Sequence, residues 1–244
     1  MTTTLTTTTA PRAVHPGVVL AVVLVSYFMI VLDNSIVFTG LARIRDDLAF
    51  STSGLSWVQN AYALVFGGLL LLAARVGDIV GRRRMFVIGL AIFSSASLLI
   101  GVAPSAEWMI AARALQGVGS AILAPTSLAL LTSNFPEGQA RTRALAAYGS
   151  TAGIGASLGL VAGGIVADLA SWRWGFLINV PIGILLIVAA FVWISETPRV
   201  RGRFDAAGAV TSTLGMTADG VGVTRPGAGG GWGVASAALR PAME

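Results

Sequence analysis

The sequence contains no cysteine and no lysine, a single histidine, and few charged residues of any kind. Without cysteine there is no disulfide framework, no thiolate nucleophile and no cysteine-based metal site, and His15 alone cannot assemble a metal cluster. Charged residues make up 11% of the chain, against about 25% in an ordinary soluble domain. That deficit excludes a surface bathed in water throughout. Also missing is any phosphate loop of the G-x-x-x-x-G-K-[ST] kind, so ATP is not the expected energy source. GIGASLG at 153–159 superficially resembles a dinucleotide loop, but it lies inside an apolar run rather than between a strand and a helix. No nucleophile or metal constellation emerges, so neither an enzyme nor a cofactor is expected.

What is present is apolar: 55% of the residues are hydrophobic. A bilayer core needs about 20 apolar residues in a helix. Six runs meet that need, 17–42, 55–74, 85–106, 108–136, 144–167 and 174–195, and Asp33 and Arg113 are the only charges inside them. Transmembrane strands would show alternating segments of about ten residues. These runs are continuous, so helices are the lipid-compatible reading. Residues 1–16 are Thr-rich and carry two prolines, which predicts a disordered tail. A cleaved signal peptide does not fit, because the early basic region is missing and the following apolar run exceeds the usual 7–15 or so residues. Residues 196–218 predict a loop and an incomplete seventh helix, interrupted at Asp219. Residues 219–244, rich in Gly and Ala, lack the Leu, Ile and Phe density of a span and predict a second disordered tail. The expectation is a truncated or frame-altered product.

The net charge is +5 and all of the positive side chains are Arg. Nucleic-acid binding would need a basic face on a water-soluble fold, whereas these Arg residues sit between the apolar runs. If the N-terminus is cytoplasmic, the inner segments hold Arg12, Arg75, Arg82, Arg83, Arg84, Arg141, Arg143, Arg199, Arg201 and Arg203. The outer loops then hold only Arg43, Arg45 and Arg173. The positive-inside rule selects that orientation, with Trp172 and Trp174 in an outer interfacial belt.

Three groups of residues carry a more specific signal. RVGDIVGRRR at 75–84 joins spans two and three. There Gly77 and Gly81 permit tight turns and close backbone approach. Asp78 can cap the following helix or pair with a nearby Arg, while Arg82 and Arg83 would also serve a simple topology-setting loop. Asp33 and Arg113 form the second group, since an intramembrane charge defaults to a functional site. Counted from the outer ends of their spans they lie at depths of about 14 Å and about 8 Å, close enough to pair directly or through water. A carboxylate beside Arg stays ionised, and one that loses that partner in a dry cavity takes up a proton. The bland alternatives are a helix-interface hydrogen bond for Asp33, with Asn34 and Ser35, and a structural tie or snorkelling for Arg113. Gln116 shares the Arg113 helix face and can orient it. The third group is Gly155, Gly159 and Gly163, whose four-residue spacing makes a face for close helix packing. Pro181 in span six favours a kink, and no chemistry is assigned to its neighbour Asn179. Asn60 and Tyr62 lie in span two with their facing undetermined.

Taken together these segments resemble the major facilitator superfamily, in particular its fourteen-helix drug:proton antiporters. GDIVGRRR at 77–84 is similar to the loop between helices two and three, LDNSIV at 32–37 to the first-helix motif, and RALQGVGSA at 113–121 to the fourth-helix Arg motif. The Gly-rich fifth span and WRWGFLINVPIG at 172–183 fit the same branch. In the fifth span the family pattern has a Pro where this chain has Leu160. The resemblance implies that Gly77, Asp78, Gly81, Arg82 and Arg83 form a conformational latch, and that Asp33 and Arg113 couple transport to protons.

The implied fold is all-α: a six-transmembrane-helix bundle, the N-terminal half of a major facilitator fold, made of two inverted three-helix repeats. The implied function is proton-linked efflux of small hydrophobic or cationic compounds across the cell membrane. Its partners would be the small-molecule substrate, protons, the lipid bilayer and a missing C-terminal half, with no nucleic acid. The chain by itself is expected to be inactive. A self-associating half-transporter and a non-transporting membrane protein that binds ligands are the alternatives.

Overall fold

A computed structural model describes residues 15–196. The tail expected at 1–16, apart from its last two residues, lies outside the described residues, as do the incomplete seventh helix and the second tail. Among the described residues every regular element is a helix: α1 (Pro16–Asp47), α2 (Thr52–Val80), α3 (Arg82–Gly101), α4 (Ala106–Asn134), α5 (Gln139–Leu169), α6 (Trp172–Leu177) and α7 (Asn179–Trp193). The pair α6 and α7 forms one span, so six helices are long and apolar enough to cross a membrane. The protein is a multi-pass, all-α membrane protein.

Local chemistry sets the helix ends differently at the two ends of the bundle. At one end Ser51, Ser105 and Ser171 start α2, α4 and α6, and each hydroxyl accepts a backbone N–H of the first turn, the usual N-cap bond. At the other end Pro16 occupies the first turn of α1, where its missing N–H has no partner to lose. Gly81 and Gly138, with φ of +115° and +106°, make the turns into α3 and α5, conformations open to glycine and strained for other residues.

Several boundaries differ from the sequence expectation. α1 continues past Ala42 to Asp47, roughly 7 Å further at 1.5 Å per residue. The third span stops at Gly101, because Pro104 favours an extended residue before it and Ser105 opens α4. Residues 75–84 are not a loop: α2 runs to Val80, α3 begins at Arg82, and Gly81 alone separates them. Gly77 therefore makes no turn; it lies within α2, where a Cβ would sit 3.3 Å from the Thr126 methyl of α4. Trp172 is not in an interfacial belt. It is 3% exposed, packs edge-on against Phe176 and donates its indole N–H to Asp47, whereas Trp174 is exposed.

Two apolar clusters fill the bundle. One, toward the Gly81 end, includes Val23, Ile30, Phe86, Leu90, Phe93, Leu123 and Leu186. The other, toward the Ser51 end, includes Val37, Ile44, Val58, Ile100, Met109 and Phe176. Along the chain, the buried polar residues Asp33, Ser97, Gln116 and Asn179 fall between members of the two clusters. The core is thus two mainly apolar layers, the first also holding the buried hydroxyls of Ser26, Thr126 and Ser127, with a layer of charge and amides between them.

Glycines decide how closely the helices pack. Gly155, Gly159 and Gly163 are buried and face α1: Cβ atoms there would meet Val31, Ser35 and Ile36. Gly149, Gly153 and Gly164 face open space. The tightest backbone approaches belong to α4. A Cβ on Gly117 would lie 2.7 Å from the carbonyl oxygen of Tyr62, and one on Gly119 2.7 Å from the backbone nitrogen of Phe93. These two residues let α4 nest between α2 and α3, a role the sequence reading did not give them.

Candidate functional site

The polar layer is built around Asp33, which is 0% exposed. Its Oδ2 accepts from Arg113 Nη1 at 2.9 Å, while Oδ1 accepts from Gln116 Nε2 and from Asn179 Nδ2, each at 2.9 Å. Four elements build the site: α1 supplies the carboxylate, α4 the guanidinium and Gln116, α7 the amide of Asn179, and α3, behind these, the hydroxyl of Ser97, which accepts from Gln116 Nε2 at 2.9 Å. Both residues of the ion pair are buried, at 1% and 0% side-chain exposure. In that setting a charge pair persists only if hydrogen bonds satisfy its remaining donors and acceptors.

Arg113 meets that condition. Nη1 also donates to Gln116 Oε1 at 2.6 Å, Nε donates to the Val58 carbonyl at 3.0 Å, and Nη2 reaches Asn34 Oδ1 at 3.4 Å. The Tyr62 ring covers the guanidinium, its centroid 4.3 Å from Cζ, a cation–π contact that strengthens away from water. Tyr62 is itself fixed by a hydrogen bond from Asn34 Nδ2. Gln116, one turn from Arg113, holds both partners of the pair at once through its two amide ends. Gly117 and Gly119 follow it immediately, so the glycines that bring α4 close also bring Arg113 and Gln116 within reach.

Asn179, noted in the sequence without a chemical role, and Ser97, which the sequence did not single out, complete the site. Asn179 follows Ile178, where the helical hydrogen-bond pattern of the sixth span is interrupted between α6 and α7 although Ile178 keeps helical dihedrals. Pro181 has no N–H to return to the Leu177 carbonyl, which accounts for a break at this point. The available signal was an uncharged amide in an otherwise apolar run, a residue type that glues membrane helices together. Ser35 bonds the Val31 carbonyl and takes no part in the site.

At the Gly81 end, Asp78 and Arg82 form an i,i+4 pair at 3.4 Å. Asp78 does not cap α3, which lacks a side-chain cap. Arg82 Nη1 donates to the Ala129 carbonyl of α4. Arg83 donates its backbone N–H to Glu196 Oε1 and Nη1 to the Ile194 carbonyl, and both Arg83 and Arg84 lie within ion-pair range of Glu196. Glu196 thus anchors the end of α7 to the start of α3. The sequence reading passed over it because it follows the last apolar run. Gly81→Ala should destabilise the bundle by about 1–3 kcal/mol, the cost of a side chain in a backbone region that only glycine tolerates. Its Cβ would also approach Glu196 Oε1 to 2.5 Å. Thermal unfolding in detergent of Gly81→Ala beside wild type measures this.

Comparison with known proteins agrees with the fold and the ordered motifs. The Major Facilitator Superfamily sequence model matches residues 23–240. The uncharacterized MFS-type transporter EfpA of Mycobacterium tuberculosis is 42% identical over 77% of this chain and 35% of its own length. The cephamycin export protein CmcT of Amycolatopsis lactamdurans is 42% identical over 88% of this chain and 44% of its own. The chain therefore spans less than half the length of these relatives. A bacterial homologue of the human lysosomal transporter Spinster, solved facing inward and unoccupied, superposes with a TM-score of 0.66 at 18% identity, over 78% of this chain and 46% of that one. Six apolar helices, a helix break at Gly81, a buried acid–arginine pair between the first and fourth spans, and a match across most of the sequence lead to one assignment: the chain belongs to the Major Facilitator Superfamily, a family of transporters rather than enzymes.

Proposed function

We propose that this chain is the N-terminal bundle of a proton-coupled exporter of small hydrophobic or cationic compounds, seated in the cell membrane with its N-terminus in the cytoplasm. The carrying observation is the fully buried Asp33–Arg113 pair. A carboxylate held by a guanidinium deep in a bundle is a proton site whose occupancy follows its partner: when Arg113 disengages in a dry site, Asp33 is neutralised by a proton. Because Asp33, Ser97, Arg113 and Asn179 lie on four different helices, movement of these helices relative to one another within the bundle changes those contacts. Cargo arrival, conformation and protonation thereby become linked. The latch at Asp78, Gly81, Arg82 and Arg83 would hold one of the two arrangements at the cytoplasmic end, with Glu196 as an additional anchor. Export is the expected direction, as in the cephamycin relative.

An export cycle that rocks two bundles needs a second bundle. The test therefore joins residues 15–196 to the C-terminal bundle of the cephamycin exporter and measures cargo-driven proton movement in vesicles. Proton flux should appear with the native sequence and vanish with Asp33→Asn, while cargo binding survives. Flux that persists in Asp33→Asn overturns the reading.

A further inference from the structure

The two amides on Asp33 are not equivalent. Gln116 uses both ends: Nε2 serves Asp33 and Ser97, and Oε1 accepts from Arg113 at 2.6 Å. Rotating that amide would turn an N–H toward the guanidinium, two donors facing each other, so Gln116 is locked. Asn179 is different. Its Nδ2 donates to Asp33 Oδ1 at 2.9 Å and lies 3.4 Å from Ser97 Oγ, yet its Oδ1 is fully buried without a hydrogen-bond partner. A buried acceptor left unpaired is costly and calls for an explanation.

We infer that Asn179 is an amide switch that serves Asp33 in both of its protonation states. With Asp33 ionised, the acid accepts only and Asn179 presents its N–H, as observed. When a proton from water adds to a carboxylate oxygen, the acid acquires an O–H that needs an acceptor. Half a turn of the Asn179 amide then brings the idle Oδ1 to that O–H, and the helix backbones need not move. The same half turn carries Nδ2 to the place that Oδ1 held and sets Oδ1 beside Ser97 Oγ, whose hydroxyl can donate to it. The charged and titratable groups facing Asp33 and Asn179 are Arg113 of α4 and, behind it, Tyr62 of α2; α3 contributes the neutral Ser97. Asn179 is therefore a positioning residue for the proton site rather than a proton carrier. This rests on the reading that Asp33 binds a proton.

Infrared difference spectroscopy across a pH titration tests it on the whole chain in lipid, with the asparagine side-chain carbonyls labelled with carbon-13. A protonated-carboxyl band should arise at low pH and be absent in Asp33→Asn. A labelled amide carbonyl should shift together with it, and Asn179→Leu should remove that amide signal and move the carboxyl band to its non-hydrogen-bonded position. Asn179→Ser, whose hydroxyl both donates and accepts, should keep the carboxyl band hydrogen-bonded and supplies the assignment should the Leu variant not fold. No Asp33-dependent carboxyl band would overturn the proton-site reading itself. A carboxyl band with no accompanying shift of the Asn179 carbonyl would overturn the switch alone.

Discussion

Replacing Asp33 with Leu should destabilise the bundle by about 3–5 kcal/mol, the cost of leaving one partner of a buried pair uncompensated. Arg113 would keep Val58, Asn34 and Gln116 as hydrogen-bond partners but would hold a full charge between two apolar clusters. A guanidinium cannot shed its proton to escape that cost. Arg113→Leu should cost less, because the remaining carboxyl can be neutralised by a proton. The double variant Asp33→Leu with Arg113→Leu should recover most of the loss seen with Asp33→Leu alone. Reversible unfolding in detergent, run on all four proteins as a double-mutant cycle, measures the coupling. Independent, additive losses would mean that the two side chains do not form a working pair. The cycle needs no transport assay, so it probes the site through stability alone.

Gly119→Val should be the most damaging single change in the helix packing, costing about 3 kcal/mol or more, the upper end for overpacking. The first added carbon alone would lie 2.7 Å from the Phe93 nitrogen and 2.9 Å from its Cα. Those are backbone atoms of α3 and cannot rotate aside, so α3 and α4 must separate. Separation would pull Ser97 away from Gln116 and loosen the donors around Asp33. Gly149→Ala is the matched control. It lies in the interior of α5 with no neighbour near an added Cβ, and alanine's better helix propensity should leave stability unchanged or raise it by up to about 1 kcal/mol. Unfolding midpoints of the two variants compare packing with propensity directly, and equal effects would contradict the packing account.

Much of this molecule can be read along the chain, and the reason differs by feature. Span number and helical type follow from hydropathy, since lipid offers no partner for an unpaired backbone group. Asp33 and Arg113 stand out because a charge in a long apolar run has few bland explanations. Gly155, Gly159 and Gly163 stand out because they repeat at a helical period. The segment at 75–84 was misread as a loop because glycine and charge there suggest an open connection, when one positive-φ residue suffices to turn the chain. Trp172 was misplaced because tryptophan is both an interfacial and a core residue, and only its contacts with Phe176 and Asp47 choose between them.

Composition and periodicity by themselves determined that this chain crosses a bilayer with helices and that one acid and one arginine lie inside it. These are properties of single segments and of the solvent around them. Only the tertiary structure decided that Asn179 and Ser97 complete the Asp33 site, that Gly117 and Gly119 carry the closest approach, and that Glu196 ties α7 to α3. Each of those depends on which faces of distant helices meet. Polar side chains without charge and isolated glycines carry little energy alone, and acquire their roles when packing removes water and brings their partners within hydrogen-bond or van der Waals distance.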